Sequence, residues 1–83
     1  MYELEARYDS RKSFYGKAMV QDGVLYSYGT PVVERLGGSE GVRLLPAWDT
    51  SATTLRHVKE YLRQIGLKAE TKAQIARDYK ESK

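Results

Sequence analysis

Residues 50–67 read TSATTLRHVKEYLRQIGL, and this stretch decides the fold of the chain. Within it, four apolar residues recur at spacings of three or four, the pattern of an amphipathic helix with one buried stripe. They are Leu55, Val58, Leu62 and Ile65. No other stretch of the sequence could cover a small sheet, so we expect this helix to lie across one.

Both ends of this helix are specified by nearby residues. Thr50 or Ser51 can cap its start, because a side-chain oxygen there accepts an otherwise unpaired backbone N–H. Gly66 is suited to its end, since glycine adopts the left-handed conformation without steric cost. Leu67 is then placed to fold back on the last turn, as in a Schellman motif. These signals predict a helix over residues 51–66.

The N-terminal half of the sequence predicts antiparallel strands. Apolar and polar residues alternate with period two over residues 2–8, which indicates a strand with one buried face. Residues 14–21 and 24–28 form the clearest strand pair, because Asp22-Gly23 between them is a favoured two-residue hairpin turn.

A two-residue turn also fixes the register of this hairpin, with Val20 opposite Leu25 and Met19 opposite Tyr26. One face of the hairpin is then small and apolar, suited to a helix lying on it, and it carries Phe14, Gly16, Ala18, Val20, Leu25 and Ser27. The opposite face carries Tyr15, Lys17, Met19, Val24, Tyr26 and Tyr28.

Shorter patterns complete the predicted sheet. Residues 29–31, Gly-Thr-Pro, predict a turn. Val32, Val33 and Leu36 predict a short strand with Pro31 at its beginning, where the missing N–H is tolerated. Residues 37–41 predict a glycine-rich loop, and residues 42–45 predict a last strand that Pro46 ends.

A second helix follows the first. Thr71, with Gln74 three residues later, resembles a capping box and predicts a short helix over residues 71–79. Residues 80–83 are expected to fray, as chain ends do. Trp48, just before the main helix, is expected to pack at the rim of the core.

These elements predict a single α+β domain over residues 1–83. A meandering antiparallel sheet of about four or five strands occupies residues 1–48, and the main helix lies across one of its faces. The chain of 83 residues is long enough for one domain only.

Composition limits the classes of function. Cysteine is absent, which excludes disulfides and thiolate metal sites, and no apolar run approaches the roughly 20 residues of a membrane helix. The N-terminus does not read as a signal peptide, so we expect a cytoplasmic protein without membrane contact. The formal net charge of +3 permits contact with nucleic acid but does not require it.

The sequence shows no catalytic or metal-binding signature. His57 is the only histidine, and it lies off the apolar stripe of the main helix, so we expect an ordinary histidine at least partly exposed on the surface. Ser51, Thr53 and Thr54 are explained by the helix start at which they lie. We therefore expect no enzymatic activity, no cofactor and no bound metal.

Two surfaces are candidates for binding. The first is the face of Tyr15, Tyr26 and Tyr28, where aromatic rings beside cations would stack single-stranded bases. The alternatives are that these tyrosines form cross-strand pairs or pack beneath Trp48 and the second helix. Its cations belong to the basic patch of Arg11, Lys12 and Lys17.

The second candidate surface is the outward face of the main helix. Arg56, Glu60 and Arg63 align there, with Lys59 beside them. Arg56 and Glu60 can pair at the i,i+4 spacing, which is the usual arrangement of a solvated helix face. The same face would also serve to dock nucleic acid or an acidic protein.

Three segments resemble a family of small uncharacterised proteins encoded by phages and prophages of Gram-positive bacteria. They are YDSRKSFYGKA from Tyr8, LYSY from Leu25 and TTLRHVKEYL from Thr53. The resemblance implies a bacterial cytoplasm during infection or lysogeny, and no functional residue comes with it.

Small phage accessory proteins often act by binding. The resemblance therefore implies an inhibitor of a host protein or nucleoprotein complex, such as an anti-defence protein of the anti-CRISPR type. The alternative is a module that binds single-stranded DNA or RNA through the tyrosine-rich face. A homodimer formed through an open sheet edge is a third interpretation.

Overall fold

The computed structural model describes residues 2–4, 17–36 and 41–81, with side chains as far as Tyr79. The helices are α1 (Ala52–Gln64) and α2 (Lys72–Asp78). The strands are β1 (Tyr2–Glu3), β2 (Ala18–Gln21), β3 (Val24–Ser27), β4 (Thr30–Arg35), β5 (Val42–Leu44) and β6 (Lys80–Glu81).

These strands form one sheet whose spatial order is the order of the chain. Strands β1 to β5 pair as an antiparallel meander, and β6 joins the far edge parallel to β5. The predicted α+β architecture, with a meander and two helices, is confirmed. Within the described residues, no helix is long and apolar enough to cross a bilayer.

Several predictions concern residues outside the described ranges. They are the continuation of the first strand beyond Leu4, the start of the second strand at Phe14, residues 37–40 of the predicted loop, residues 82–83 of the predicted frayed tail, and the candidate binding residues Arg11, Lys12 and Tyr15.

The β2–β3 hairpin has the predicted register. Val20 lies opposite Leu25, and Met19 lies opposite Tyr26. Asp22 has a φ of 53° and Gly23 a φ of 78°, so both residues of the turn adopt the left-handed conformation that a tight hairpin requires.

The turn between β3 and β4 begins one residue earlier than predicted. Tyr28, with a φ of 53°, and Gly29, with a φ of 80°, form the two-residue turn. Thr30, predicted to lie in the turn, is the first residue of β4 and lies opposite Ser27, and Pro31 follows it near the start of the strand, as predicted. The correction follows from the backbone twist of the paired strands, which favours a two-residue turn with positive φ at both positions.

A bulge in β4 explains why two consecutive valines both reach the core. Val33 lies opposite Leu25, but Tyr26 is paired with Pro31, so Val32 is the extra residue. Val32 is 1% exposed and Val33 is not exposed at all. Without the extra residue, alternation along the strand would turn one of the two toward solvent.

The ends of α1 are those that the sequence predicts. The Ser51 hydroxyl accepts a hydrogen bond from the Thr54 N–H. At the other end, Gly66 has a φ of 84°, its N–H donates to the Arg63 carbonyl, and the Leu67 N–H donates to the Leu62 carbonyl. This pair of bonds is the Schellman motif.

The buried face of α1 is wider than the predicted stripe and rotated from it. Val58 and Leu62 are fully buried, whereas Leu55 and Ile65 are only partly buried. The remaining buried residues of the helix are Thr54, His57, Glu60 and Tyr61. The expectation of an exposed His57 is therefore wrong, because the burial extends around the flank that carries this residue.

The core lies between the sheet and the helices. Ile75 of α2 is fully buried within it, so the second helix packs on the domain. Trp48, predicted at the rim, is only 2% exposed and belongs to the core. The tail does not fray at residues 80–81, because β6 pairs with Arg43 and Leu44 of β5.

Replacing Gly66 with alanine should lower the free energy of unfolding by about 1–2 kcal/mol, because a side chain is strained at positive φ. No atom lies within 4 Å of a Cβ added there, so crowding does not contribute. Gly66→Asn is the control and should lose less, since asparagine tolerates this conformation. Equal urea midpoints for wild type and Gly66→Ala would contradict the assignment.

Tyr61 should make the domain sensitive to alkali. Burial, followed by the nearby Tyr2, raises the pKa of the Tyr61 phenol above 10.0, while Arg35 acts in the opposite direction. Because the folded-state pKa is the higher one, this stabilisation is complete below about pH 10 and is lost as pH rises through the folded-state pKa.

Urea unfolding at increasing pH should therefore show a steeper loss of stability for wild type than for Tyr61→Phe. The slope is the informative quantity, because Tyr61→Phe also removes a 3.4 Å hydrogen bond to the Gly23 carbonyl at every pH below the transition. Equal slopes would show that Tyr61 does not couple to folding.

Candidate functional site

A buried polar cluster joins α1 to β3. The Ser27 Oγ lies 2.8 Å from His57 Nδ1 and 3.1 Å from Thr54 Oγ1, and the Ser51 hydroxyl donates to Thr54 Oγ1 at 3.1 Å. The exposed fractions are 2% for Ser27, 4% for Thr54 and zero for His57. Buried polar groups are stabilising when they are hydrogen-bonded, so this cluster fastens the helix to the sheet.

The Ser27–His57 contact has the spacing of a nucleophile and its base, which would matter chemically if a substrate could reach it. Both side chains are buried between α1 and β3, however, so the described geometry gives the pair a structural role. Ser27 lies on the helix-covered face, as predicted, but its partner was not predicted from the sequence. The available signal was a hydroxyl on an otherwise apolar face, since such a group needs a hydrogen-bonding partner.

The predicted tyrosine-rich face is divided in the structure. Tyr26 is half-buried and lies opposite Met19, as predicted. Tyr28 instead lies in the β3–β4 turn, with its ring centroid 5.8 Å from that of His57 and the ring planes at 40°. His57 belongs to the helix that covers the other side of the sheet, so Tyr26 and Tyr28 do not form one stacking surface.

Tyr28 and Lys17 form a corner at the end of the β2–β3 pair. The Lys17 ammonium lies 5.8 Å from the centre of the Tyr28 ring, within the range of a cation–π contact. Lys17 is exposed, and 56% of Tyr28 is accessible to solvent. The structure thus brings these two predicted site residues together.

The outward face of α1 carries three cations. Arg63 is exposed, and Arg56 and Lys59 are half-buried. The predicted position of Glu60 on this face is wrong, because Glu60 is only 1% exposed and accepts a hydrogen bond from Gln64. Glu60 is the only acidic residue in α1, so the helix leaves a stripe of Arg56, Lys59 and Arg63 without an acidic neighbour of its own.

Arg63 also has a structural role, because its Nε donates to the Ala69 carbonyl at 2.9 Å and ties the connection between the helices to α1. Several of the other surface cations are paired, unlike those of the stripe. Four cations of the described surface pair with carboxylates, namely Arg43 with Glu34, Lys68 with Glu70, Lys72 with Asp49 and Arg77 with Asp78. Within the described residues, none of the three stripe cations forms an ion pair.

Metal binding finds no support in the described part of the chain, where no group of three His, Asp or Glu side chains could hold an ion. Residues 2–77 match the model of a family described as a family of unknown function, DUF8033. Comparison with curated proteins and with solved structures gives no match to the chain.

Replacing Ser27 with alanine should lower the free energy of unfolding by about 1–3 kcal/mol, because it removes both hydrogen bonds of the Ser27 hydroxyl from a buried cluster. Chemical denaturation measures the loss. Thr30→Ala is the control, because Thr30 is exposed and, like Ser27, lies next to the β3–β4 turn. It should change stability by no more than about 0.5 kcal/mol. Equal losses of stability in the two variants would show that the Ser27 hydroxyl does not hold α1 to the sheet.

Proposed function

The chain belongs to the DUF8033 family, whose function is unknown, and we propose that it is a non-enzymatic accessory protein that acts by macromolecular binding. The proposed partner is a protein or nucleoprotein complex of a bacterial host, which binding would inhibit. The resemblance of the segments beginning at Tyr8, Leu25 and Thr53 to phage and prophage proteins supports a phage-type origin, cytoplasmic location and anti-defence role, for example of the anti-CRISPR type.

The observation that carries this proposal is the unbalanced charge of α1. The helix turns its only carboxylate, on Glu60, into the protein and presents Arg56, Lys59 and Arg63 outward. Surface cations that serve solubility alone are commonly interspersed with acids, as the four ion pairs elsewhere illustrate. A one-sign stripe attracts and orients a partner of the opposite sign.

The position of the stripe on a helix supports a role in recognition. Arg56, Lys59 and Arg63 follow spacings of three and four, so they share one side of α1. The helix is rigidly seated, because it is capped at both ends and fastened to β3 by the Ser27 cluster. Charges on a fixed element lose less conformational freedom on binding than charges on a loop, and this favours affinity.

The buried Ser27–His57 pair is consistent with a protein that lacks catalysis. A binding protein requires only a stable, complementary surface, and an acidic protein face or a nucleoprotein complex would complement this one. Binding would inhibit the host complex if it covers a surface that the complex needs for its own activity.

Reversal of the stripe charges should slow partner binding. We expect the double variant Arg56→Glu/Lys59→Glu to slow association with the partner about tenfold or more, because electrostatic steering is lost. The partner is first captured from a Gram-positive host lysate with and without nuclease and identified by mass spectrometry, and its association rate is then measured with purified components. Arg63 is left unchanged because of its bond to Ala69.

The matched control is Lys68→Glu/Arg77→Glu, which changes the net charge equally at exposed sites outside the stripe. It should retain most of the binding, and both variants should keep the thermal midpoint of the wild type. If both double variants bind as the wild type does, the stripe is not the docking surface. Partners that all vanish with nuclease would redirect the proposal to nucleic acid.

A further inference from the structure

The chain makes the same hairpin turn twice but with different residues. In the β2–β3 turn, Asp22 and Gly23 have φ values of 53° and 78°, and in the β3–β4 turn, Tyr28 and Gly29 have 53° and 80°. Aspartate is among the residues favoured at the first position, because its short polar side chain tolerates positive φ. A bulky residue such as tyrosine is an outlier there.

Nothing in the described fold requires a ring at position 28. More than half of Tyr28 is exposed, and its described ring contacts are the tilted contact to His57 and the cation of Lys17. Asparagine or glycine would make the same turn with less strain. Strain retained at an exposed aromatic side chain points to a role outside folding.

The surroundings of the ring are suited to a negatively charged ligand. Lys17 lies 5.8 Å from the ring centre and, within the described part of the chain, forms no ion pair. Ser27, the residue before Tyr28, bonds Thr54 in the first turn of α1. That turn contains no acidic residue, so it adds no carboxylate that would repel an anion.

We propose that Tyr28 is a stacking platform for one base of a single-stranded nucleic acid, with Lys17 binding an adjacent phosphate. Every base presents a π face, so an exposed ring accepts bases with little regard to sequence, and a neighbouring cation supplies the backbone contact. The site is a single ring and cation at a turn, in place of the broad tyrosine face predicted from the sequence.

This site is independent of the basic stripe on α1. With about 100° of rotation per residue, Arg56, Lys59 and Arg63 lie about 100° to 160° around the helix from His57, against which Tyr28 packs. A nucleoprotein partner could be contacted at both places. The two sites can nevertheless be tested separately.

The test is the affinity of the full chain for a fluorescently labelled oligothymidylate and oligouridylate at low salt. We expect Tyr28→Asn to weaken binding about tenfold, the loss of one stacked base, and Tyr28→Phe to bind as the wild type does. Lys17→Gln, which leaves the turn intact, should reduce the slope of log affinity against log salt by about one. The thermal midpoint of Tyr28→Asn should equal or exceed that of the wild type.

Tyr2→Asn is the matched control, because Tyr2 is 55% exposed and its loss removes an equally accessible ring elsewhere. It should leave oligonucleotide affinity unchanged. The proposal is overturned if the wild type binds neither oligonucleotide, if Tyr28→Asn and Tyr2→Asn behave alike, or if Tyr28→Asn fails to fold. The proposal is also overturned if Tyr28→Asn weakens binding of a protein partner but leaves oligonucleotide affinity unchanged.

A combined variant separates the Tyr28 site from the basic stripe on α1. The Tyr28→Asn substitution is repeated in the Arg56→Glu/Lys59→Glu variant. There it should weaken oligonucleotide binding by the same factor as in the wild type, even if the overall affinity is lower. Loss of this effect would place the bases on the helix stripe instead and would overturn the assignment to Tyr28.

Discussion

The seating of α1 on the sheet is the constraint on which the rest of the structure depends. Val58 and Leu62 supply the apolar part of the contact, and the hydroxyl of Ser27 fixes it by bonding Thr54 and His57. Apolar contact alone would tolerate small rotations of the helix, whereas a buried hydrogen-bonded cluster is satisfied in one arrangement only. A small domain with little core depends strongly on such a contact.

The chosen rotation of α1 has a consequence for the surface. Because the helix turns toward the flank of His57, Glu60 is carried into the interior and its charge is removed from the outward face. The cations at positions 56, 59 and 63 remain outside without a helical acid beside them. The rotation of α1 that buries Glu60 in the core thus also leaves the outward face of the helix with positive charge only. One packing arrangement accounts both for the stable core and for the proposed binding surface.

Local chemistry determined much of the fold from sequence alone. Ser51 and Thr71 cap their helices because a hydroxyl accepts a nearby N–H, and Gly66 ends α1 because it adopts positive φ at no cost. The Asp22-Gly23 turn fixes the β2–β3 register for the same kind of reason. Each of these rules involves groups within a few residues of one another, so the sequence states them directly.

Tertiary structure decided what depends on contacts between distant residues. His57 has no visible partner in the sequence, because Ser27 lies 30 residues away and meets it only after the helix docks. The bulge that buries Val32 beside Val33 and the pairing of β6 with β5 likewise depend on neighbouring strands. Tyr28 moved from strand to turn for the same reason. Residues far apart in sequence compete for one core, and only the packed whole shows which faces are buried.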